Sequence, residues 1–154
     1  MHITLHKIYY KAVYISNRLT YGRNEVKVTA KSVGIQSKIR NGKFYVFKPE
    51  KGSKFVYVKI TVRNNGKKQD TFLPRIGMSD TANMARLYYK DYEYKPTDLL
   101  SYKQDLLDTK IDPLKSKTGI IVFELPKKIA NKTNKMTLKI GTDNETIVYS
   151  LKKK

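Results

Sequence analysis

The side chains with the clearest capacity for chemistry in this chain are its cations. The sequence has 154 residues with 32 Lys and Arg against 13 Asp and Glu, a formal net charge of +19. Ammonium and guanidinium groups in such excess attract polyanions over a long range before any specific contact forms. The candidate partner-binding residues, which alternation places on strand faces, are Lys7, Lys11, Lys27, Lys31, Lys59 and Arg63. We therefore expect an anionic or protein partner, and the competing interpretation is that these lysines only keep strand exteriors soluble.

The carboxylates are concentrated in one segment. Residues 80–112 carry 7 acidic and 5 basic side chains, whereas residues 1–79 carry 3 and 17 and residues 113–154 carry 3 and 10. Asp91 and Glu93 would share a strand face as the nearest approach to a catalytic pair, but the spacing matches neither an EF-hand nor another known motif. We expect these carboxylates to pair with lysines and cap turns. In the alternative, the segment contacts the basic face of a second molecule, and self-association depends on salt.

Motifs for nucleophilic, metal or nucleotide chemistry are missing from the sequence. It has no cysteine, no Gly-x-Ser-x-Gly and no Gly-rich phosphate loop, so the common thiolate, hydrolase and nucleotide-binding sites are not indicated. His2 and His6 would share a strand face and could begin a zinc site, but no nearby acid or cysteine completes it. We predict that the protein is not an enzyme and uses no metal or cofactor.

Tyrosines interleaved with lysines support a second kind of partner. The chain has 12 tyrosines, and Lys7, Tyr9 and Lys11 would share one strand face. Bases can stack on tyrosine while lysine contacts phosphate, as in single-strand binders built on barrel sheets. A small basic β-barrel that binds nucleic acid is therefore the alternative function.

Alternation of apolar and polar residues identifies the elements that position these side chains. In the strongest example, Val56, Val58, Ile60 and Val62 would face a core, while the residues between them, Tyr57, Lys59, Thr61 and Arg63, would face water. An Asn41-Gly42 pair predicts a tight hairpin turn. Further strands are indicated at residues 2–15, 25–32, 44–47, 71–73, 86–89, 92–94, 119–126, 136–140 and 147–151.

Short strands separated by turns predict an all-β protein with a β-sandwich architecture, and a closed barrel stays open as the alternative. Four leucines recur at helical spacing near residues 97–108, so one short helix is expected there. We expect a single domain over residues 1–154, with residues 2–15 as an added edge strand and a frayed tail at 152–154. No apolar run reaches the length of a transmembrane segment.

Two blocks carry a resemblance to a known family. Residues 49–66 read Pro-x-x-Gly-x-x-Phe-Val-x-Val-x-Ile-x-Val-x-Asn-x-Gly, and residues 119–126 read Gly-x-x-x-Phe-Glu-Leu-Pro. Together they resemble the telokin-like immunoglobulin-like domain family, a domain of unknown function in secreted proteins and lipoproteins, chiefly of Gram-positive bacteria. The likeness spans about residues 26–151. It departs from the family pattern at residues 113–118, where many members have a Pro-Gly-Glu-like turn.

The resemblance implies an immunoglobulin-like antiparallel β-sandwich of about 7–9 strands at the cell surface or outside the cell. It supplies no catalytic residues. A leader, removed or carrying a lipid-anchoring cysteine, is expected upstream of Met1, and a cytoplasmic location is the alternative. The leading functional prediction is a non-enzymatic binding or structural domain of the cell envelope, which recognises an anionic or protein partner through its lysine-rich surface.

Overall fold

The computed structural model describes residues 7–10, 18–21, 24–74, 84–141 and 146–151. Within these ranges the chain forms thirteen strands, one short α-helix and one 3-10 turn. The strands are β1 (Lys7–Tyr10), β2 (Arg18–Tyr21), β3 (Asn24–Gln36), β4 (Ile39–Asn41), β5 (Tyr45–Phe47), β6 (Ser53–Asn64), β7 (Asp70–Phe72), β8 (Met84–Tyr89), β9 (Tyr92–Tyr94), β10 (Thr109–Ile111), β11 (Ser116–Pro126), β12 (Met136–Gly141) and β13 (Thr146–Ser150). The helix α1 spans Lys127–Ala130, and the 3-10 turn spans Thr133–Lys135.

Two principal antiparallel sheets stack to form a sandwich. One has the strand order β1-β13-β12-β8-β9 and the other β11-β6-β3-β2, with the two-stranded ladders β10-β7 and β4-β5 beside them. A single buried cluster joins Ile60 of the second sheet to Leu87 and Leu138 of the first. The hydroxyl of Tyr149, on β13, donates a hydrogen bond of 3.2 Å to the carbonyl of Val28 on β3. The predicted all-β antiparallel sandwich is confirmed, and the closed barrel is not formed by the described strands.

The strand count exceeds the predicted 7–9 because short pairings also qualify as strands. Five of the thirteen, β4, β5, β7, β9 and β10, have only three residues. β9 is an edge strand of the five-stranded sheet, and the other four form the two-stranded ladders beside the principal sheets. No helix in the described ranges is long and apolar enough to cross a membrane.

The central strand β6 has the predicted inner face. Val56, Val58, Ile60 and Val62 are at most 1% exposed and belong to the main core. Its neighbour β3 alternates in the same way, with Val26 and Val28 buried and Lys27 exposed, up to a bulge between Ala30 and Ser32. Period-two burial therefore fixes which side chains of this sheet face outward.

The outer face of β6 is only partly wet, which corrects the prediction. Its first half is covered by a second, smaller cluster of Ile39, Phe55, Leu99, Ile120 and Val122, against which Phe47, Tyr57 and Tyr102 pack. The β4–β5 hairpin and the segment before β10 supply this cover. Consequently Phe55 is 2% exposed and Tyr57 is half-buried. The exposed outward face begins at Lys59.

The predicted helix at residues 97–108 is wrong, since this segment consists of turns and one isolated bridge. The buried carboxylate of Asp105 accepts hydrogen bonds from the backbone N–H groups of Leu99 at 2.9 Å and Leu107 at 3.0 Å. Leu99 then joins the second cluster while Leu106 joins the main core. The leucine spacing therefore reflects burial in two different clusters and not one face of a helix. Side-chain hydrogen bonds to the backbone, such as those of Asp105, compete with helix formation.

The strand predicted at residues 119–126 begins earlier, at Ser116, so Gly119 lies inside β11 rather than opening it. At this place residues 104–106 run beside the strand, with an isolated parallel bridge between Asp105 and Ile120. The N–H of Ile120 donates to the carbonyl of Gln104 at 2.7 Å, and the N–H of Leu106 donates to the carbonyl of Ile120 at 3.0 Å. A Cβ at Gly119 would meet the Gln104 carbonyl and lie 2.8 Å from the Leu106 side chain. Glycine is required here by close approach of backbone.

The structure describes only some of the residues on which the remaining predictions depend. Of the strand predicted at residues 2–15, the described piece β1 is the edge strand of the five-stranded sheet, paired with β13. The Asn41-Gly42 turn is confirmed by the β4–β5 pairing and a φ of 71° at Gly42. His2, His6, Lys11, Asp80 and the tail at 152–154 lie outside the described residues.

Candidate anion-binding surface

Four of the six predicted cations come together on the outward face of the β3–β6 pair. Lys27 is the register partner of Arg63, and Lys59 is the partner of Ser32, beside which Lys31 occupies the bulge. All four cations are exposed. The Arg63 Nε donates to the Asn65 Oδ1 at 2.9 Å. We call Lys27, Lys31, Lys59 and Arg63 the outer-face row.

A concave site that the sequence did not reveal lies at the start of β6. Residues from three separate stretches line an open depression of about 310 Å³. Five of its lining side chains are lysines: Lys38, Lys48, Lys51, Lys54 and Lys127. Ser37, Gly52 and Ser53 also line it. We call this site the lysine cleft.

The backbone around the lysine cleft is firmly held. The N–H of Ser53 donates to the carbonyl of Glu50 at 2.9 Å, which closes a turn, and Gly52 there has a φ of 86°. The N–H of Lys127, which follows β11, donates to the carbonyl of Gly52 at 3.0 Å. The Glu124 Oε1 accepts from the N–H of Glu50 at 2.9 Å. The cleft is therefore preformed by the pairing of β6 with β11.

Charge makes the lysine cleft complementary to an anion. Glu50 is its only lining carboxylate, and among the described residues none of its five lysines forms an ion pair. Five ammonium groups against one carboxylate leave the site with an excess of positive charge, and a bound anion relieves the repulsion among like charges. A cavity of this volume lies at the lower end of small-ligand sites. It can hold one or a few phosphate-sized groups.

A sequence signal for the lysine cleft exists only in part. Lys48, Lys51 and Lys54 recur at every third residue around Pro49 and Gly52, in a turn before a strand. Lys38 joins them because it lies directly before β4, whose first residue Ile39 pairs with Phe47, next to Lys48. Lys127 joins them because Pro126 is the register partner of Ser53. The pairing could not be read from the spacing.

Two carboxylates of the predicted acidic segment, Glu93 and Asp112, have separate polar partners. Glu93 accepts from the Tyr88 hydroxyl at 3.1 Å and pairs with the Arg86 Nε at 3.4 Å. Asp112 accepts from the Gln69 side chain at 2.8 Å. Asp91 lies in the turn before β9, so it does not share a strand face with Glu93 as predicted. Across the described ranges, no three His, Cys, Asp or Glu residues are grouped so that they could hold a metal.

A wider depression of about 440 Å³ is less suited to a polyanion. It is lined by Lys103, Lys110 and Lys117 but also by Asp105 and Asp108. Asp105 is already committed to the backbone of the turns. The mixed charge gives this depression no strong preference for either sign.

A third group of lysines surrounds Tyr89 at the end of β8. The ammonium nitrogens of Lys90 and Lys132 lie 5.5 and 5.7 Å from its ring centroid. Burial raises the pKa of the Tyr89 phenol, but the hydrogen bond with Lys132 and the charges of Lys132, Lys90 and Lys135 outweigh it, so the pKa is lowered from 10.0. These lysines already face an aromatic ring. The lysine cleft is therefore the better candidate for an external anion.

Two other tyrosines, Tyr94 and Tyr102, pack against the hydrophobic clusters. Burial raises the pKa of Tyr102, and burial followed by the charge of Tyr92 raises that of Tyr94. The Tyr102 ring stacks on Phe47, with centroids 6.1 Å apart. Tyr94 packs against the main core, and Tyr102 packs against the second cluster. Tyr9, on which the nucleic-acid alternative relied, lies in β1.

Known proteins resemble this chain in sequence and fold. A family described as "Domain of unknown function (DUF4352)" matches residues 20–147. No curated protein is similar enough to count as a match. An uncharacterized β-sandwich protein from Clostridium difficile is 15% identical, with 88% of this chain and 90% of that chain covered and a TM-score of 0.56. A conserved hypothetical protein from Bacillus anthracis is 17% identical, covering 94% and 96%, with a TM-score of 0.53.

These structural similarities concern the fold alone. A third solved structure, the ycdA lipoprotein candidate of Bacillus subtilis, is 19% identical and covers 92% of this chain but 40% of that chain, with a TM-score of 0.49. That likeness is too weak to bear on fold or location. The matches agree with the predicted sandwich and with a domain of unknown function. The telokin-like assignment stays a prediction.

Proposed function

The chain belongs to the DUF4352 family, and on that premise we propose that it is a non-enzymatic binding domain of the bacterial cell envelope that holds an anionic polymer in its lysine cleft. The observation that carries the proposal is five lysines, none in an ion pair among the described residues, lining one preformed cavity of about 310 Å³. Repeating phosphate or carboxylate groups are the ligands that such a site attracts.

The outer-face row extends the proposed binding surface. It presents four exposed cations across two paired strands, which suits a flexible chain lying over a sheet. A flat row is solvated and gives weak, salt-sensitive contacts, whereas a concave depression contacts its ligand from more than one side. We therefore assign selectivity to the lysine cleft and general attraction to the outer-face row, within a total charge of +19.

The envelope location rests on the resemblance of residues 49–66 and 119–126 to a family of secreted proteins and lipoproteins. The genomic sequence upstream of Met1 tests it. A leader that ends in a signal-peptidase site or a lipobox cysteine supports export from a Gram-positive cell. A natural start at Met1, with neighbouring genes that encode cytoplasmic proteins, contradicts the location and favours nucleic acid as the polyanion.

Binding to a defined polymer tests the function. Poly(glycerol phosphate) should bind, neutral dextran should not, and the affinity should fall steeply as salt rises from about 50 to about 200 mM. A single-stranded oligonucleotide of equal charge serves as competitor. Stronger binding of the oligonucleotide would favour the nucleic-acid alternative, and an affinity that does not change with salt would contradict recognition by charge.

A further inference from the structure

The tip of the β4–β5 hairpin exposes aromatic residues without cover from the rest of the described chain. Phe44 is 98% exposed, Tyr45 is 59% exposed, and Leu100 on the neighbouring loop is 64% exposed. Isolated surface apolar residues are common, but a nearly fully exposed phenylalanine beside two further apolar groups is an unusual cost in water. We call Phe44, Tyr45 and Leu100 the aromatic tip.

The aromatic tip is held in place by the structure beneath it. Gly42 has a φ of 71°, which closes the turn before Phe44. The Asn41 Nδ2 donates to the Ser101 carbonyl at 3.3 Å, which connects the hairpin to the loop of Leu100. The Tyr45 and Phe47 rings meet edge to face with centroids 4.9 Å apart. Because these contacts fix the hairpin on the second cluster, Phe44 projects from a supported base.

The charge around the aromatic tip is mostly positive, with the exposed carboxylate of Asp98 on the loop of Leu100 as the exception. Residues 37–49 contain four cations, Lys38, Arg40, Lys43 and Lys48, and no acidic residue. Arg40 and Lys43 on the hairpin and Lys103 on the adjacent loop are exposed. Exposed aromatic groups with cations nearby in the same hairpin are a combination that adsorbs to anionic lipid: the rings enter the interface while the cations contact headgroups.

We propose that the aromatic tip inserts Phe44 into the headgroup region of an anionic membrane, with Arg40, Lys43 and Lys103 on the lipid phosphates. A bilayer receives a projecting side chain without a preformed pocket. A protein partner would have to supply such a pocket and surround the ring with further contacts. The lysine cleft lies at the base of the same hairpin, where Lys38 and Lys48 flank it. Insertion would hold the cleft near the membrane surface.

The chain provides a direct reporter because it contains no tryptophan. In Phe44→Trp, vesicles of phosphatidylglycerol and phosphatidylcholine should shift the indole emission to the blue and allow quenching by lipids labelled in the upper acyl chain. Pure phosphatidylcholine vesicles should have a much smaller effect. In sedimentation with the anionic vesicles, Phe44→Ser should bind roughly tenfold more weakly than the unmodified protein.

Leu114→Trp and Leu114→Ser are the matched controls. Leu114 is also 64% exposed, but its N–H donates to the carbonyl of Asn64, at the opposite end of β6 from the hairpin. The Leu114 variants should show no shift and no loss. Equal vesicle binding by Phe44→Ser and the unmodified protein would overturn insertion while leaving the lysine cleft intact. A blue shift that depends on protein concentration without vesicles would also overturn it, in favour of self-association.

Discussion

Removing charge from the lysine cleft should change the salt dependence of polymer binding more than any comparable change elsewhere. The test variant replaces Lys48, Lys51 and Lys54 with glutamine and lowers the net charge from +19 to +16. All three lysines line the cleft. Glutamine retains most of the side-chain length and can still form hydrogen bonds, so the fold is expected to be retained and the charge is the property that changes.

The magnitude follows from counterion release. Each phosphate contact contributes about 0.7 to 0.9 to the slope of log K against log salt, so a rise from about 50 to about 200 mM weakens binding roughly threefold per contact. If each of the three lysines contacts one phosphate, the slope falls by about 2 to 3. The unmodified protein should therefore lose roughly 20- to 40-fold more affinity over that salt range than the variant.

Isothermal titration with poly(glycerol phosphate) at several salt concentrations measures both slopes. The control replaces Lys67, Lys110 and Lys115, three exposed lysines outside the cleft, and has the same net charge of +16. The control should keep nearly the full slope, because local contacts rather than net charge carry the binding. Equal slopes for the two variants would refute the assignment of the polymer to the cleft.

Three further predictions test structural features outside the lysine cleft. Gly119→Ala should lower the free energy of unfolding in urea by about 1 to 3 kcal/mol, because its Cβ overpacks against residues 104–106, while Ser116→Ala on the same strand should change it by less than about 0.5 kcal/mol; equal effects would contradict the close approach. Asp105→Asn should lower the free energy of unfolding by about 1 to 3 kcal/mol, since the amide nitrogen that replaces one carboxylate oxygen cannot accept from the N–H of Leu99 or Leu107. An unchanged midpoint of urea unfolding would contradict the role of these two hydrogen bonds. In spectrophotometric alkaline titration, one tyrosine of the unmodified protein should ionise below the ordinary pKa of 10.0, and this transition should be missing from Tyr89→Phe. Lys132→Gln should raise that pKa. A titration curve that Lys132→Gln leaves unchanged would contradict the effect of this lysine on Tyr89.

The principal sheets were predictable because burial on one face leaves a direct trace in the sequence. Val56 to Val62 alternate with polar residues, and a slip by one position would expose the whole row. The same rule placed Lys27, Lys59 and Arg63 outward. It failed at Tyr57, because alternation within β6 does not show that the β4–β5 hairpin and the loop of Leu99 cover that part of the sheet.

The other errors have the same non-local origin. Leucine spacing suggested a helix near residues 97–108, but it does not show that Asp105 binds two backbone N–H groups or that Leu99 and Leu106 belong to different clusters. The lysine cleft brings together Lys38, Lys127 and residues 48–54 across strand pairings. Alternation predicts which face a residue occupies. It does not predict which segments meet.

The position of a bound anion tests the central claim most directly. Tripolyphosphate, titrated into the ¹⁵N-labelled protein, should give its largest amide shifts at Lys38, Lys127 and residues 48–54, saturating together. Largest shifts on the strand residues of the outer-face row, or small shifts spread over the surface without saturation, would contradict the lysine cleft as the binding site.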